Sequence, residues 1–118
     1  MSEFTIYHNP RCSKSRQTLA LLQERGIAPD VVEYLVNPPD ADRLRGLLDC
    51  LGMRARQLLR RGEEDYKSLN LADEQLSDDD LVAAMVKHPK LIERPVVVRG
   101  ERAVLGRPPE NVLELLDQ

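Results

Sequence analysis

Cys12 stands in the run His8-Asn9-Pro10-Arg11-Cys12-Ser13-Lys14-Ser15-Arg16, which carries three cations and no acid. Strand-forming residues precede it and a helical pattern follows, so its sulfur falls at a helix N-terminus. Unpaired backbone N–H groups and the helix dipole favour an anion there. A thiolate in that position, beside positive side chains, drops from about 8.5 towards roughly 3.5–7.5. The same setting holds an oxyanion against the sulfur. The competing reading is a buried, inert thiol, the commoner fate of an intracellular cysteine. The polar and basic neighbours favour the reactive one. Cys12-Ser13-Lys14-Ser15 lacks the second sulfur of a Cys-x-x-Cys pair. An adduct on Cys12 then has no resolving thiol one turn away and needs an external one, most simply glutathione. Cys50 lies beside Leu47 and Leu51 on a helical face and reads as core.

Three arginines occupy positions where loops return to a sheet. Arg60 follows Leu58-Leu59, Arg94 precedes Pro95 and Arg107 precedes Pro108. A residue before proline is held extended, and a guanidinium offers a planar fork of donors suited to tetrahedral oxyanions. Spacing puts these arginines at element ends, where site residues concentrate, and leaves open whether they meet Cys12. His8 and His88 are the two histidines, and neither sits in a ligand-like cluster, so no metal is expected.

The elements that must position these groups follow from the hydrophobic pattern. Phe4–His8 reads as a strand, Ser13–Arg25 as a helix ended by Gly26, and Val31–Leu35 as a second strand. That βαβ unit makes the two strands parallel. From Asn37-Pro38-Pro39 the pattern is helical to His88, with Leu44, Leu47, Leu48 and Leu51 behind Asp40 as N-cap. A short helix is expected over Ala55–Arg61. Ser77-Asp78-Asp79-Asp80 fits a capping box, so the acidic run is given no functional role. Pro95–Arg99 and Arg102–Leu105 form a hairpin about Gly100-Glu101, and Pro108-Pro109 opens a last helix. The order is β-α-β, a helical insertion over 37–88, then β-β-α. It predicts an α/β, thioredoxin-like fold: a mixed four-stranded sheet, built from 1–36 and 89–118 and flanked by helices.

The chain has 118 residues, 42% of them hydrophobic, enough for one domain with one core. Its net charge of −3 argues against a general affinity for nucleic acid or acidic lipid. No apolar run approaches the roughly 20 residues of a membrane span. The start Met1-Ser2-Glu3-Phe4 lacks the basic and apolar regions of a secretory leader, and two cysteines make no disulfide scaffold. A cytoplasmic location is expected.

His8–Arg16, Leu58-Leu59-Arg60, Glu93-Arg94-Pro95 and Gly106-Arg107-Pro108 together resemble the glutaredoxin-coupled arsenate reductase (ArsC) family, end to end and in order. The resemblance implies Cys12 as nucleophile and arsenate binding by Arg60, Arg94 and Arg107. It further implies that His8 tunes the thiol, with Ser15 and Arg16 in support, and that Arg94-Pro95 is a cis peptide. Glutathione would be the co-substrate and glutaredoxin the partner, with no bound cofactor. The helix start departs from the Cys-Gly-Thr-Ser of well-studied members. Cys12-Ser13-Lys14-Ser15 looks like a related branch, in which Lys14 keeps the pocket attractive to anions. Two other readings stand beside this one. One is a glutathione-dependent thiol oxidoreductase acting on another oxyanion or on a mixed disulfide. The other is an RNA-polymerase-binding regulator like the Spx proteins. Those regulators sense oxidants through Cys-x-x-Cys, and Ser15 stands where their second cysteine would be.

Overall fold

The computed structural model describes residues 3–116. Met1 and Ser2, part of the start that lacks a leader pattern, lie outside it, as do Asp117 and Gln118. The chain divides into two compact units: Met1–Asn37 with Arg94–Gln118, and Pro38–Glu93.

The first unit contains β1 (Phe4–His8), α1 (Ser13–Glu24), β2 (Asp30–Glu33), β3 (Val96–Arg99) and β4 (Arg102–Leu105), closed by a 3-10 helix over Pro109–Leu115. The four strands form one sheet in the order β2-β1-β3-β4. β1 runs parallel to β2 and antiparallel to β3, and β3 is antiparallel to β4. This is the mixed four-stranded sheet expected from the sequence. β1 and β3 are its inner strands, which accounts for the apolar Ile6, Val96 and Val97, each fully buried. Phe4, Ile6, Leu22, Val97, Val112 and Leu115 form the core of this unit, joining the sheet to α1 and the C-terminal 3-10 helix.

Two edges differ from the expected pattern. The second strand is Asp30–Glu33 rather than Val31–Leu35, because the amides of Val36 and Asn37 both turn back to the Glu33 carbonyl. The last helix is 3-10 rather than α. Pro109, Val112 and Leu115, the buried residues on it, recur every three positions, the 3-10 period. Its amides bond three residues back, Asn111 to Pro108 and Leu116 to Leu113.

The second unit holds α2 (Ala41–Leu51), α3 (Ala55–Leu58), α4 (Glu64–Ser68) and α5 (Asp78–Lys87), with a 3-10 turn at Pro89–Leu91. It keeps residues 89–93, which the sequence pattern assigns to the sheet, because Leu59 and Ile92 form a β-bridge and Glu93 N–H bonds to Leu58 C=O. The same bridge ends α3 at Leu58: Leu59 is extended, so Arg60 lies in a loop and not on the expected helix. α5 packs on α2 and α3 through Leu81, Val82 and Met85. Asp40 and Ser77 cap α2 and α5 as expected, accepting from Arg43 N–H at 2.8 Å and Asp80 N–H at 3.1 Å. Cys50, read as core, is only partly buried, and both cysteines are free thiols. Among the described residues no helix is long and apolar enough to cross a membrane.

β1 carries the site-bearing loop, so its packing fixes where that loop begins. Truncating the fully buried Ile6 to Ala removes apolar contact and leaves a cavity. Loss of about 2–5 kcal/mol in denaturant unfolding is expected.

Candidate active site

The sequence between β1 and α1 must turn the chain from a strand into a helix within four residues. Asn9 does most of this. Its carbonyl accepts Cys12 N–H at 3.0 Å, its side-chain Oδ1 accepts Arg11 N–H at 3.0 Å, and its own N–H donates to Ser15 Oγ at 3.0 Å. Cys12 is the N-cap of α1, with extended backbone and no side-chain capping bond. Its sulfur faces the first-turn amides of the helix that it heads. Arg16 Nη1 donates to Pro10 C=O at 2.9 Å and ties the first turn back over the loop.

The buried polar residues among those described are His8, Asn9, Ser15 and Thr18, all flanking this junction. Ser15 Oγ lies 2.6 Å from His8 Nδ1 while accepting from Asn9 N–H. Burial lowers the pKa of His8; the Glu33 carboxylate beside it in the sheet register opposes this, and the Arg16 charge adds to it. Ser15 Oγ and His8 Nδ1 share this bond, with the donor set by the ring tautomer. The linkage sign follows. A histidine held neutral costs nothing above the unfolded value of about 6.5, and below it the unfolded chain takes up the proton more readily.

Cys12 is half-buried, and burial alone pushes its thiol up. The Ser15 N–H, the Arg94 guanidinium (as donor and as charge) and the Lys14 N–H outweigh that and leave the thiol below its ordinary value. Arg107 is exposed and reaches the sulfur with Nη1 at 3.8 Å, while the same nitrogen donates to Arg94 C=O at 3.2 Å. The structure thus brings Cys12, Arg94 and Arg107 together from residues some 80 to 95 positions apart. Both arginines precede prolines in cis peptide bonds, Arg94-Pro95 as expected and Arg107-Pro108 in addition.

Arg60 lies in the helical unit, where its side chain is 22% exposed and sits between two carboxylates. Nη1 is 3.4 Å from Glu63 and Nε 3.4 Å from Glu93. His88 Nδ1 faces Asp65 at 3.7 Å. Sequence reasoning assigns no role to these acids, to Asn9, to Thr18 or to Gly106, although Asn9, Glu93 and Gly106 lie within the motifs that carry the resemblance. Asn9 was legible in part, since Asn-Pro marks a turn that the Asn side chain can brace. The roles of Thr18 and Gly106 depend on contacts 88 residues apart and have no local signal.

A thioredoxin-like sheet whose first helix begins at a free thiol, with guanidiniums from two distant loops beside it, defines the class of fold and site to which this chain belongs. The ArsC family model matches residues 7–115, and the chain belongs to that family. It is 60% identical over 112 residues to YfgD of Escherichia coli K12, covering 94% of each chain. It is 47% identical over 117 residues to an arsenate reductase of Neisseria meningitidis serogroup A, covering 98% of this chain and all of that one. The solved arsenate reductase from Vibrio cholerae superposes with a TM-score of 0.92 at 58% identity, covering 94% of this chain and 95% of that one.

Two pH profiles test this geometry. Alkylation of Cys12 rises with pH to a midpoint below that of a free thiol, and Arg94→Ala moves the midpoint up. An unchanged midpoint in that variant contradicts the assigned cause. Stability in urea falls as the pH drops below about 6.5, and His8→Gln removes that part of the acid limb.

Proposed function

We propose that this chain reduces arsenate to arsenite through a covalent Cys12–arsenic adduct, with glutathione as electron donor and glutaredoxin restoring the enzyme. The observation that carries the reading is Arg107 Nη1 at 3.8 Å from Cys12 Sγ and joined to Arg94 C=O. A nucleophile and oxyanion donors then share one small volume. The names of the Neisseria and Vibrio relatives supply the oxyanion.

Arsenate enters as a tetrahedral anion and takes donors from Arg94 and Arg107, which also offset the charge that repels a thiolate. Cys12 Sγ attacks arsenic, an As–O bond breaks, and the oxygen leaves as water after taking up protons. Arsenic is still pentavalent in this adduct. The glutathione thiolate attacks Cys12 Sγ, the S–As bond breaks, and its electron pair stays on arsenic, which departs as trivalent arsenite. Two thiols have become one mixed disulfide, balancing the two-electron reduction. Glutaredoxin then accepts the glutathionyl group by thiol–disulfide exchange and Cys12 is free again. Arg60 enters this scheme through the resemblance of Leu58-Leu59-Arg60, and an oxyanion reaching it competes with Glu63 and Glu93.

The test is turnover of arsenate with purified glutaredoxin and glutathione. Cys12→Ser abolishes it. Arg94→Ala, Arg107→Ala and Arg60→Ala each lose roughly ten- to a hundredfold in kcat/KM, as expected for removing one charged donor. A folded wild type that leaves arsenate unreduced overturns the substrate assignment. Turnover by Cys12→Ser overturns the nucleophile.

A further inference from the structure

The arginine-bearing loops need something that holds them against the helix carrying the sulfur. Gly106 lies between β4 and Arg107, is buried, and has its N–H bonded to Pro95 C=O at 2.9 Å. The loop before β3 and the loop after β4 are thereby locked to one another, and these loops supply Arg94 and Arg107. The Gly106 carbonyl faces α1, where the Thr18 hydroxyl lies 3.2 Å away and shares its one proton between this carbonyl and Lys14 C=O at 2.8 Å. A carbonyl buried at that place has no water to turn to.

The contact is shaped as well as bonded. A Cβ on Gly106 would stand 2.6 Å from Thr18 Oγ1, 2.9 Å from Thr18 Cγ2 and 2.9 Å from Pro95 Cγ. Only glycine lets helix and loops approach so closely. Thr18 itself is fully buried in mid-helix, a position where a hydroxyl bonding its own helix brings little stability by itself. The second acceptor explains why threonine is there.

We propose that Thr18 is a positioning residue for the reaction: its hydroxyl and methyl clamp Gly106 against α1 and so set the distance of Arg94 and Arg107 from the Cys12 sulfur. The contacts close a ring that runs from Cys12 along α1 to Thr18, across to Gly106, and through Arg107 back to Cys12 Sγ. Thr18 touches no reacting atom and acts through the two arginines. The inference rests on the reading that Cys12 and these arginines serve one oxyanion.

The test compares Thr18→Val, which keeps the shape and removes the hydroxyl, with Thr18→Ser, which keeps the hydroxyl. Cys12 alkylation is followed by mass spectrometry of its peptide across pH, and inorganic arsenate is used to protect the thiol. Thr18→Val raises the alkylation midpoint and raises the arsenate concentration for half-protection by about fivefold, the equivalent of one net hydrogen bond. Thr18→Ser returns both values toward wild type. A Thr18→Val protein that matches wild type in both overturns the proposal. If Thr18→Val does not fold, Thr18→Ser is compared with Thr18→Ala, which differs from it by the hydroxyl alone; equal values for that pair overturn it too. Should arsenate fail to protect even the wild type, the substrate reading falls while the midpoint still decides the role of Thr18.

Discussion

The hydrogen bond between the Ser15 hydroxyl and His8, with the Asn9 amide on the same oxygen, is the interaction on which the site depends. It crosses from the end of β1 to the first turn of α1, and Ser15 is fully buried. A buried hydroxyl needs its donors and acceptors supplied from within the protein. Here the loop supplies one and the strand the other, so the helix cannot rotate or slide without leaving a polar atom unpaired. That constraint holds the N-terminus of α1 at a fixed place on the sheet, and Cys12 is the residue at that N-terminus.

Fixing the sulfur there sets two opposing effects against one another. Partial burial favours the neutral thiol, and helix N–H groups together with guanidinium charge favour the thiolate. Backbone donors from Ser15 and Lys14 come with the helix, but the cationic contribution has to come from elsewhere in the chain. It arrives from Arg94 in the loop before β3, while Arg107 in the loop after β4 touches the sulfur, and each of these arginines directly precedes a proline. Antiparallel pairing of β3 with β4 puts those two loops at the same end of the sheet, because Val96 lies opposite Leu105. β3 is also antiparallel to β1, so that end is the one where β1 finishes and the Cys12 loop starts. The same pairing that assembles the site makes β1 and β3 the inner strands, where Ile6, Val96 and Val97 are buried.

The division between what could be read from the sequence and what could not follows from range. β1, the hairpin, the N-caps Asp40 and Ser77 and the place of Cys12 at a helix start are written in neighbouring residues, through pattern and turn chemistry. The charge that acts on the thiol is instead that of distant Arg94 and not of the adjacent cations. The meeting of Arg94 and Arg107 with Cys12 was legible only through the resemblance of four separated motifs, since spacing places an arginine at an element end and no further. The contact of Thr18 with Gly106 could not be read: Gly106 belongs to a motif of the resemblance, but a threonine in a helix and a glycine before an arginine show no link until the two are seen together. The C-terminal 3-10 helix differs from the expected helix for a related reason. Its apolar residues at 112, 113, 115 and 116 suit an α-helical face too, and only burial every third residue separates the two periods.

Ser15 also bears on what kind of thiol chemistry this helix start can run. In a Cys-x-x-Cys protein the residue at that position is a second sulfur that must turn toward the first and close a disulfide. The hydroxyl of Ser15 is instead committed to His8 and Asn9, in a space closed to water. A larger sulfur there would break the bond that holds α1 to β1, and turning toward Cys12 would leave the Asn9 amide and His8 without their shared partner. The geometry that fixes the Cys12 sulfur is thus incompatible with a resolving group at its neighbour. Any adduct formed on Cys12 meets no second thiol in that turn, while the sulfur and Arg107 keep an open side toward solvent. A disulfide switch asks the first turn of the helix to rearrange, whereas attack on an anion followed by rescue from outside lets it stay as it is. The buried serine favours the second kind of chemistry for the same reason that it holds the fold.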